Sequence, residues 1–114
     1  MTGNKIRILV ADDHAIVRMG LIALLKKEKD MSVVGEAEDG LEAVDQAEKL
    51  KPDVVLLDLM MPKMDGAEAT AAILEKCPSA RILILTTFGT SESIGKAIRC
   101  GATGAVQKNI ANTE

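Results

Sequence analysis

The sequence contains almost no aromatic residues: Trp and Tyr are absent, and Phe88 is the single Phe. Without aromatic rings, the chain offers no surface on which nucleic-acid bases could stack. A net charge of −3 also provides no overall positive charge for contacts with phosphates. We therefore expect no direct contact between this chain and nucleic acid.

Membrane spans, signal peptides and cysteine metal motifs are also missing. No apolar run approaches the roughly 20 residues that a membrane span needs, and the N-terminal residues lead directly into a strand-like run. Cys77 and Cys100 lack the spacing of metal ligands, so we expect small, buried or half-buried thiols, with disulfide or redox chemistry as the alternative. These features predict a cytoplasmic protein that does not contact membranes.

Short apolar runs alternate with stretches of helical periodicity along the 114 residues, a length typical of one domain. The predicted strands are Ile6–Ala11, Ser32–Ala37, Val54–Leu57, Arg81–Leu85 and Ala105–Gln107. The third and fourth runs are almost continuously apolar, which is typical of parallel strands covered on both faces. The alternation predicts an α/β fold of right-handed βαβ units around a parallel sheet.

Apolar residues at helical spacing predict four helices between these strands. Their apolar faces are Val17, Leu21, Leu24 and Leu25; Leu41, Val44, Ala47 and Leu50; Ala67, Thr70, Leu74 and Cys77; and, in a helix from about Ser91 to Cys100, Ile94, Ala97 and Ile98. Gly95 weakens the fourth helix by about 1 kcal/mol relative to Ala. This indicates either a short surface helix or an element that moves during function.

The sequence continues for only six residues after Lys108, whereas a sheet covered on both faces needs another helix there. We expect the fifth helix to be missing or truncated. The apolar side chains that it would bury are each worth roughly 1.5–3 kcal/mol. The chain is therefore expected to be marginally stable alone or to cover its bare face by self-association.

Polar side chains follow four of the strands at their carboxyl ends, where open α/β sheets bind ligands. Asp12 and Asp13 follow the first strand, Asp58 the third, Thr86 and Thr87 the fourth, and Lys108 the fifth. Each has an ordinary explanation alone, such as a helix cap for Asp12 or Asp13 or a solvated charge for Lys108. Their shared placement at one edge of the sheet predicts a single site.

Three neighbouring carboxylates have a specific chemical consequence. Two of them about 4 Å apart repel by roughly 4 kcal/mol at an effective dielectric near 20. The group therefore favours either shared protons or a divalent cation, and oxygen ligands favour Mg²⁺. A hydroxyl and an ammonium opposite the metal would suit a phosphoryl group, with Asp58 as its nucleophile.

The sequence resembles the receiver domain of bacterial two-component response regulators along essentially its whole length. The residues that carry the resemblance are LVADDH at 9–14, LLDLMMPKMDG at 56–66, ILTTF at 84–88 and GATGAVQK at 101–108. The resemblance implies one receiver domain over residues 1–114, with a flavodoxin-like, doubly wound, five-stranded parallel sheet of order 2-1-3-4-5. The VADDHAIVR, GEAEDG and LTTF segments are similar to the subfamily with a LuxR-type helix-turn-helix output. DNA binding is thus implied only through an output domain absent from this chain.

The resemblance also implies a function and a role for each site residue. Asp58 would receive a phosphoryl group from a sensor histidine kinase, and the resulting change would control transcription. The implied ligands of Mg²⁺ or Mn²⁺ are Asp12, Asp13, Asp58 and the backbone carbonyl of Met60, and the implied phosphoryl-binding switch residues are Thr86 and Lys108. The chain would be a signalling switch in a phosphorelay rather than an enzyme, with homodimerisation as a further option.

The sequence departs from the family pattern at two positions. Ala105 stands where many receivers carry Tyr or Phe, so the coupled motion of a hydroxyl and an aromatic ring does not carry over. Asn109 rather than Pro follows Lys108, so a cis X–Pro bond is not expected. His14 is expected to be a polar residue in the first helical turn and not a metal ligand.

Three alternative functions are weaker. A Mg²⁺-dependent phosphatase of the haloacid-dehalogenase type needs a second Asp two residues after its nucleophile, where this chain has Met60. A flavin or dinucleotide module needs a phosphate-binding loop after the first strand, where DDHAIVRMG would repel phosphate. A receiver that acts only as a docking scaffold would not need the complete set of site residues.

Overall fold

The structure is a computed structural model that describes residues 5–86 and 91–107. The strands are β1 (Ile6–Ala11), β2 (Met31–Ala37), β3 (Val54–Asp58), β4 (Arg81–Thr86) and β5 (Gly104–Gln107). The helices are α1 (Ala15–Lys26), α2 (Gly40–Leu50), α3 (Gly66–Lys76) and α4 (Ser91–Arg99). The predicted strands are confirmed, and four of the five differ from the prediction by a single residue at one end.

All four strand pairings are parallel, and the sheet order is β2-β1-β3-β4-β5. This confirms the predicted order. The chain moves outward from β1 to β2 and then returns past β1 to β3, so the order reverses between β1 and β3. Ligands of doubly wound sheets bind at the carboxyl ends of the strands beside such a reversal.

The strands supply apolar side chains alternately to the two faces of the sheet. On the face that carries α2, α3 and α4, here called the three-helix face, the main buried strand residues are Leu9, Val55, Leu57, Ile82 and Ile84. On the face that carries α1, the α1 face, the buried residues are Ile8, Val10, Leu56 and Leu85. Among the described residues, the larger of the two cores therefore lies under three helices, and the smaller under one.

In α1 and α2, one residue each that periodicity places on the buried face is exposed. Leu24 of α1 is 62% exposed, because α1 contacts the sheet through Leu21, Ile22 and Leu25 instead. Leu41 of α2 is 51% exposed. An ideal helix turns by about 100° per residue, so Leu41 lies about 160° from the buried Ala43. These two predictions were wrong because helical spacing identifies the apolar face of a helix but not which side of that face packs against the sheet.

The third and fourth helices follow the predictions more closely. In α3, Ala67 and Thr70 are buried. Cys77, which follows α3, is also buried and Cys100 is partly so, as expected. In α4, Ala97 is fully buried, while Ile98, predicted on the same face, is 41% exposed.

Two further predictions concern the α1 face and membranes. Val106 pairs with Leu85 in the sheet and is 48% exposed, whereas residues 108–114, where a fifth helix would begin, lie outside the described residues. The need for that helix stays a prediction. None of the helices between residues 5 and 107 that the structure describes has the length and apolar character to cross a bilayer.

Candidate metal and phosphoryl site

The sheet register brings the carboxyl ends of β1 and β3 to the same level. Ala11 pairs with Leu57, so Asp12 and Asp58 follow side by side. Both residues are buried, Asp12 at 0% and Asp58 at 3% exposure. Carboxylates are rarely so buried unless they have partners, and both of these residues make interactions. Two buried carboxylates at adjacent strand ends therefore define the centre of the site.

The turn after β1 is fixed by its own hydrogen bonds. The Asp12 N–H donates to the Ala37 carbonyl at 3.0 Å, and the His14 N–H donates to Asp12 Oδ1 at 2.8 Å. His14, not Asp12 or Asp13, is the N-cap residue of α1, and its side chain makes no capping hydrogen bond. The helix-cap explanation for Asp12 and Asp13 is thus replaced by a turn that presents both carboxylates at the sheet edge.

Four potential ligand atoms meet at this edge. One carboxylate oxygen each from Asp12, Asp13 and Asp58 and one ring nitrogen of His14 all lie within 4.8 Å of one another. Oxygen donors in such a small space suit a hard divalent cation such as Mg²⁺. The three predicted carboxylates therefore come together in an arrangement that fits the predicted metal, and His14 joins them unexpectedly.

The loop between β3 and α3 is anchored to α2. Met60, two residues after Asp58, has a side chain that is 63% exposed, and the role of its carbonyl stays a prediction. Lys63 adopts a left-handed φ of 71°, uncommon for a residue with a side chain. Its ammonium lies 3.3 Å from the carboxylate of Asp39, the N-cap residue of α2. The loop that carries Met60 is therefore tied to the neighbouring helix.

The same Asp39 carboxylate accepts a hydrogen bond from the Glu42 N–H at 2.8 Å. This bond lowers the pKa of Asp39 below its ordinary value, and the Lys63 ammonium lowers it further, against the opposing effect of burial. Asp39 therefore stays ionised, and both its helix cap and its ion pair persist at neutral pH.

The loop closes at α3, where the backbones of two segments come into contact. The Gly66 N–H donates to the Leu59 carbonyl at 2.8 Å. A Cβ at position 66 would lie 2.8 Å from Leu59 Cα and 2.9 Å from the Asp58 carbonyl oxygen. Asp65 and Glu68 form a reciprocal capping box that starts α3. Only glycine permits this close approach, which fixes the backbone directly after Asp58.

Thr86 ends β4, next to the end of β3. Leu85 pairs with Asp58, so Thr86 lies one residue beyond that level at the same edge of the sheet. The residue is 2% exposed, and its hydroxyl oxygen has no hydrogen-bond partner within the described part of the chain. A buried hydroxyl without a partner is costly. The predicted site residues Thr87 and Lys108 lie outside the described residues.

Arg18 is a residue that motif reading missed. It extends from α1, is only 12% exposed, and donates to the Asp12 carbonyl at 2.7 Å and to Glu36 Oε1 at 2.8 Å. The sequence signal was a basic residue on the first helix, six positions after Asp12. Its side chain fixes the backbone of Asp12 and places a positive charge near the carboxylates of the site.

Comparison with known proteins connects this geometry to a family. The family model of the response regulator receiver domain matches residues 8–114. LiaR, a transcriptional regulatory protein of Bacillus subtilis (strain 168), is 46% identical over 97 residues, which are 85% of this chain and 46% of LiaR. The chain spans about half the length of the curated relatives it matches.

Solved structures agree. A LuxR-family two-component response regulator from Aurantimonas sp. SI85-9A1 superposes with a TM-score of 0.87 at 40% identity, covering 92% of this chain and 75% of that one. The isolated receiver domain of RcsB from Salmonella enterica serovar Typhimurium, solved in the presence of the phosphomimetic BeF₃⁻, gives 0.83 at 30% identity, covering 92% and 78%. The chain therefore belongs to the response regulator receiver family, as the sequence resemblance predicted.

Proposed function

We propose that residues 1–114 form one receiver domain that acts as a phosphorylation-controlled switch, with Asp58 as the phosphoryl acceptor. The observation that carries this proposal is the Asp58 carboxylate, buried at the end of the central strand and beside Asp12 and Asp13. A strand covered on both faces gives the nucleophile a rigid position. The phosphoryl donor is a sensor histidine kinase in the cytoplasm.

The transfer needs little from the protein beyond position and charge. An Asp58 carboxylate oxygen forms a bond to phosphorus as the phosphorus–nitrogen bond of the donor's phosphohistidine breaks. The imidazole of the donor leaves with the electron pair of that bond and takes a proton from solvent. This chain turns over no external substrate, so it is a switch and not an enzyme in the usual sense.

Asp12, Asp13 and Asp58, with the backbone carbonyl of Met60, would hold Mg²⁺ or Mn²⁺. A bound cation neutralises the carboxylates and the oxygens of the incoming phosphoryl group. Arg18 holds the Asp12 backbone, and Gly66 holds the segment after Asp58. These contacts keep the carboxylates close together despite their mutual repulsion.

Thr86 supplies the proposed link from phosphorylation to conformational change. Its buried hydroxyl lacks a partner among the described residues, and a phosphoryl oxygen on Asp58 would provide one. Movement of Thr86 would then repack α4, in which Ala97 is buried. Lys108, expected from the family resemblance to contact the phosphoryl group, is part of the same proposal.

The regulated output is proposed to be transcription. The support is the set of relatives, which include transcriptional regulatory proteins about twice as long as the matched region. The DNA-binding part would therefore lie in a segment outside these 114 residues, and this domain itself would contact the kinase or a second copy of itself rather than DNA.

Beryllofluoride, a mimic of the phosphoryl group, tests the assignment of Asp58. We expect ¹⁹F NMR to show bound beryllofluoride only when Mg²⁺ is present, and Asp58→Asn to abolish the signal. Asp45→Asn is the matched control, because it removes one carboxylate that is 56% exposed and lies 3.1 Å from the Lys49 ammonium at the surface. Thr86→Val should retain Mg²⁺ binding but weaken beryllofluoride binding by about tenfold or more, because a hydrogen bond to a charged group is worth roughly 1.5–3 kcal/mol.

Binding of beryllofluoride by Asp58→Asn would overturn the assignment of the phosphoryl acceptor. Binding of Mg²⁺ without any binding of beryllofluoride, and without phosphorylation by acetyl phosphate, would favour the docking-scaffold alternative.

A further inference from the structure

The imidazole of His14 lies among the carboxylates of Asp12, Asp13 and Asp58. Its Nδ1 atom is 3.3 Å from Asp12 Oδ1 and 3.2 Å from Asp13 Oδ1. Its backbone N–H is bound to the same Asp12 oxygen at 2.8 Å, which fixes the position of the residue at the start of α1. The side chain is 67% exposed, so the imidazole forms the solvent side of the group.

These spacings match those of ligands that share one ion. Ligand atoms about 2.1 Å from a six-coordinate ion lie roughly 3 Å apart when they occupy adjacent positions. The two distances from His14 Nδ1 are close to this value, and the remaining carboxylate, from Asp58, lies within 4.8 Å. An ion bound by the three carboxylates would therefore have an imidazole nitrogen in place to complete its coordination.

An imidazole ligand changes which ions a site prefers. Mg²⁺ favours oxygen ligands and retains several of its waters. Imidazole is a better ligand for first-row transition ions, whose affinity for mixed nitrogen and oxygen sites rises from Mn²⁺ towards Co²⁺ and Ni²⁺. His14 would therefore leave Mg²⁺ affinity nearly unaffected and increase the affinity for transition ions.

We propose that His14 Nδ1 is a fifth protein ligand in this site, beside the three carboxylates and the Met60 carbonyl, and that it selects divalent transition ions over Mg²⁺. The proposal rests on the metal site of the proposed function, and it reverses the expectation that His14 is only a polar residue of the first turn. The competing explanation is that the imidazole only pairs with Asp12 and Asp13 and touches no metal.

Co²⁺ and Mg²⁺ distinguish the two explanations. The chain contains a single histidine, so in untagged protein any imidazole signal belongs to His14. We expect Co²⁺-loaded protein to show one strongly shifted imidazole N–H proton by NMR, and to lose it in His14→Ala. Loss of the ligand should lower Co²⁺ affinity by about tenfold or more, since even indirect contacts to metal ligands are worth 10–100-fold. Mg²⁺ affinity should change less than about threefold.

Each other outcome has a separate meaning. Co²⁺ binding without a shifted imidazole proton, or equal losses of Co²⁺ and Mg²⁺ affinity in His14→Ala, would overturn the proposal and leave the metal site intact. His14→Asn should not restore the preference for Co²⁺ over Mg²⁺, because its amide oxygen resembles the oxygen ligands that Mg²⁺ already has. Failure of the wild-type protein to bind either ion would refute the metal site itself, and with it the proposed function.

Discussion

The three-helix face and the α1 face of the sheet are built from neighbouring residues of the same strands, yet they are covered differently. On the three-helix face, α2, α3 and α4 all contribute buried residues. On the α1 face, four strand residues are buried and α1 itself has no buried residue. Ile16 and Met19 of α1 are 85% and 65% exposed. Within the described residues, strand residues are buried on both faces, but only the helices of the three-helix face contribute buried residues of their own.

The two faces also differ in how their helices begin. The carboxylates of Asp39 and Asp65 cap α2 and α3 by accepting hydrogen bonds from backbone N–H groups. His14 occupies the corresponding position of α1 without such a bond, and its side chain lies among the acidic residues instead. At α1 the N-cap side chain lies beside the carboxylates of Asp12 and Asp13, whereas at α2 and α3 the N-cap side chain stabilises the helix.

The largest expected contrast comes from two adjacent leucines of β3. Leu57 is fully buried on the three-helix face, and Leu56 is 9% exposed on the α1 face. Leu→Ala substitutions cost roughly 2–5 kcal/mol, depending on the cavity left behind. We expect about 4 kcal/mol for Leu57→Ala and about 2 kcal/mol for Leu56→Ala, measured by urea denaturation with circular dichroism. Equal losses would show that the two faces contribute equally to stability.

Two glycines should respond to alanine with opposite signs. At Gly66, on the three-helix face, an added Cβ would meet backbone atoms at 2.8 and 2.9 Å, so Gly66→Ala should cost about 1–3 kcal/mol. At Gly20 of α1, an added Cβ would meet no described atom within 4 Å other than those of its two chain neighbours and the helix's own backbone. Gly20→Ala should therefore stabilise the protein by up to about 1 kcal/mol. Thermal unfolding of both variants measures the difference, and destabilisation by Gly20→Ala would contradict an open α1 surface.

The smallest expected effect concerns the capped helices and pH. The pKa of Asp39 is lowered in the folded state, chiefly by the hydrogen bond from the Glu42 N–H. Its ionised form therefore stabilises the fold above the unfolded-state pKa of about 3.9, and this contribution is lost as the pH falls through the lower folded-state value. Asp39→Ala should cost about 1 kcal/mol at pH 7.

The pH dependence separates the charge of Asp39 from its role as a cap. Asp39→Asn retains a capping oxygen, so its stability relative to the wild type should improve as the pH falls below about 4. Asp45→Asn, at an exposed surface pair, is the control and should show a weaker trend. A constant difference between Asp39→Asn and the wild type from pH 7 to pH 3 would argue against an ionised cap.

Several features followed from the sequence because they depend on local patterns. Apolar runs gave the strands, and βαβ connections have one strongly preferred hand, so polar residues after strands had to meet at one edge. Asp12, Asp13, Asp58 and Thr86 were found in this way. The order 2-1-3-4-5 was predicted from the family resemblance, and the strand order of the structure agrees with it.

Other features depend on the rotation and distance of packed elements. Helical spacing predicted the apolar stripe of α1. The rotation of the helix about its axis, which leaves Leu24 exposed, depends on how α1 packs against β1 and β2. The exposure of Leu41 arises because α2 packs through Ala43 and Ala47, and Leu41 lies on the opposite side of the helix from Ala43. Periodicity describes one element alone and contains no information about its neighbour.

The sequence by itself determined the fold class, the strand ends and the acidic residues of this receiver domain, because side-chain period and strand direction are properties of short segments. Only the tertiary structure decided that the imidazole of His14 joins Asp12 and Asp13, that Arg18 holds the Asp12 backbone, and that the hydroxyl of Thr86 is buried without a described partner. Those contacts depend on distances of a few ångströms between side chains of different elements. Such distances are set by how the elements pack, which the residue order alone does not specify.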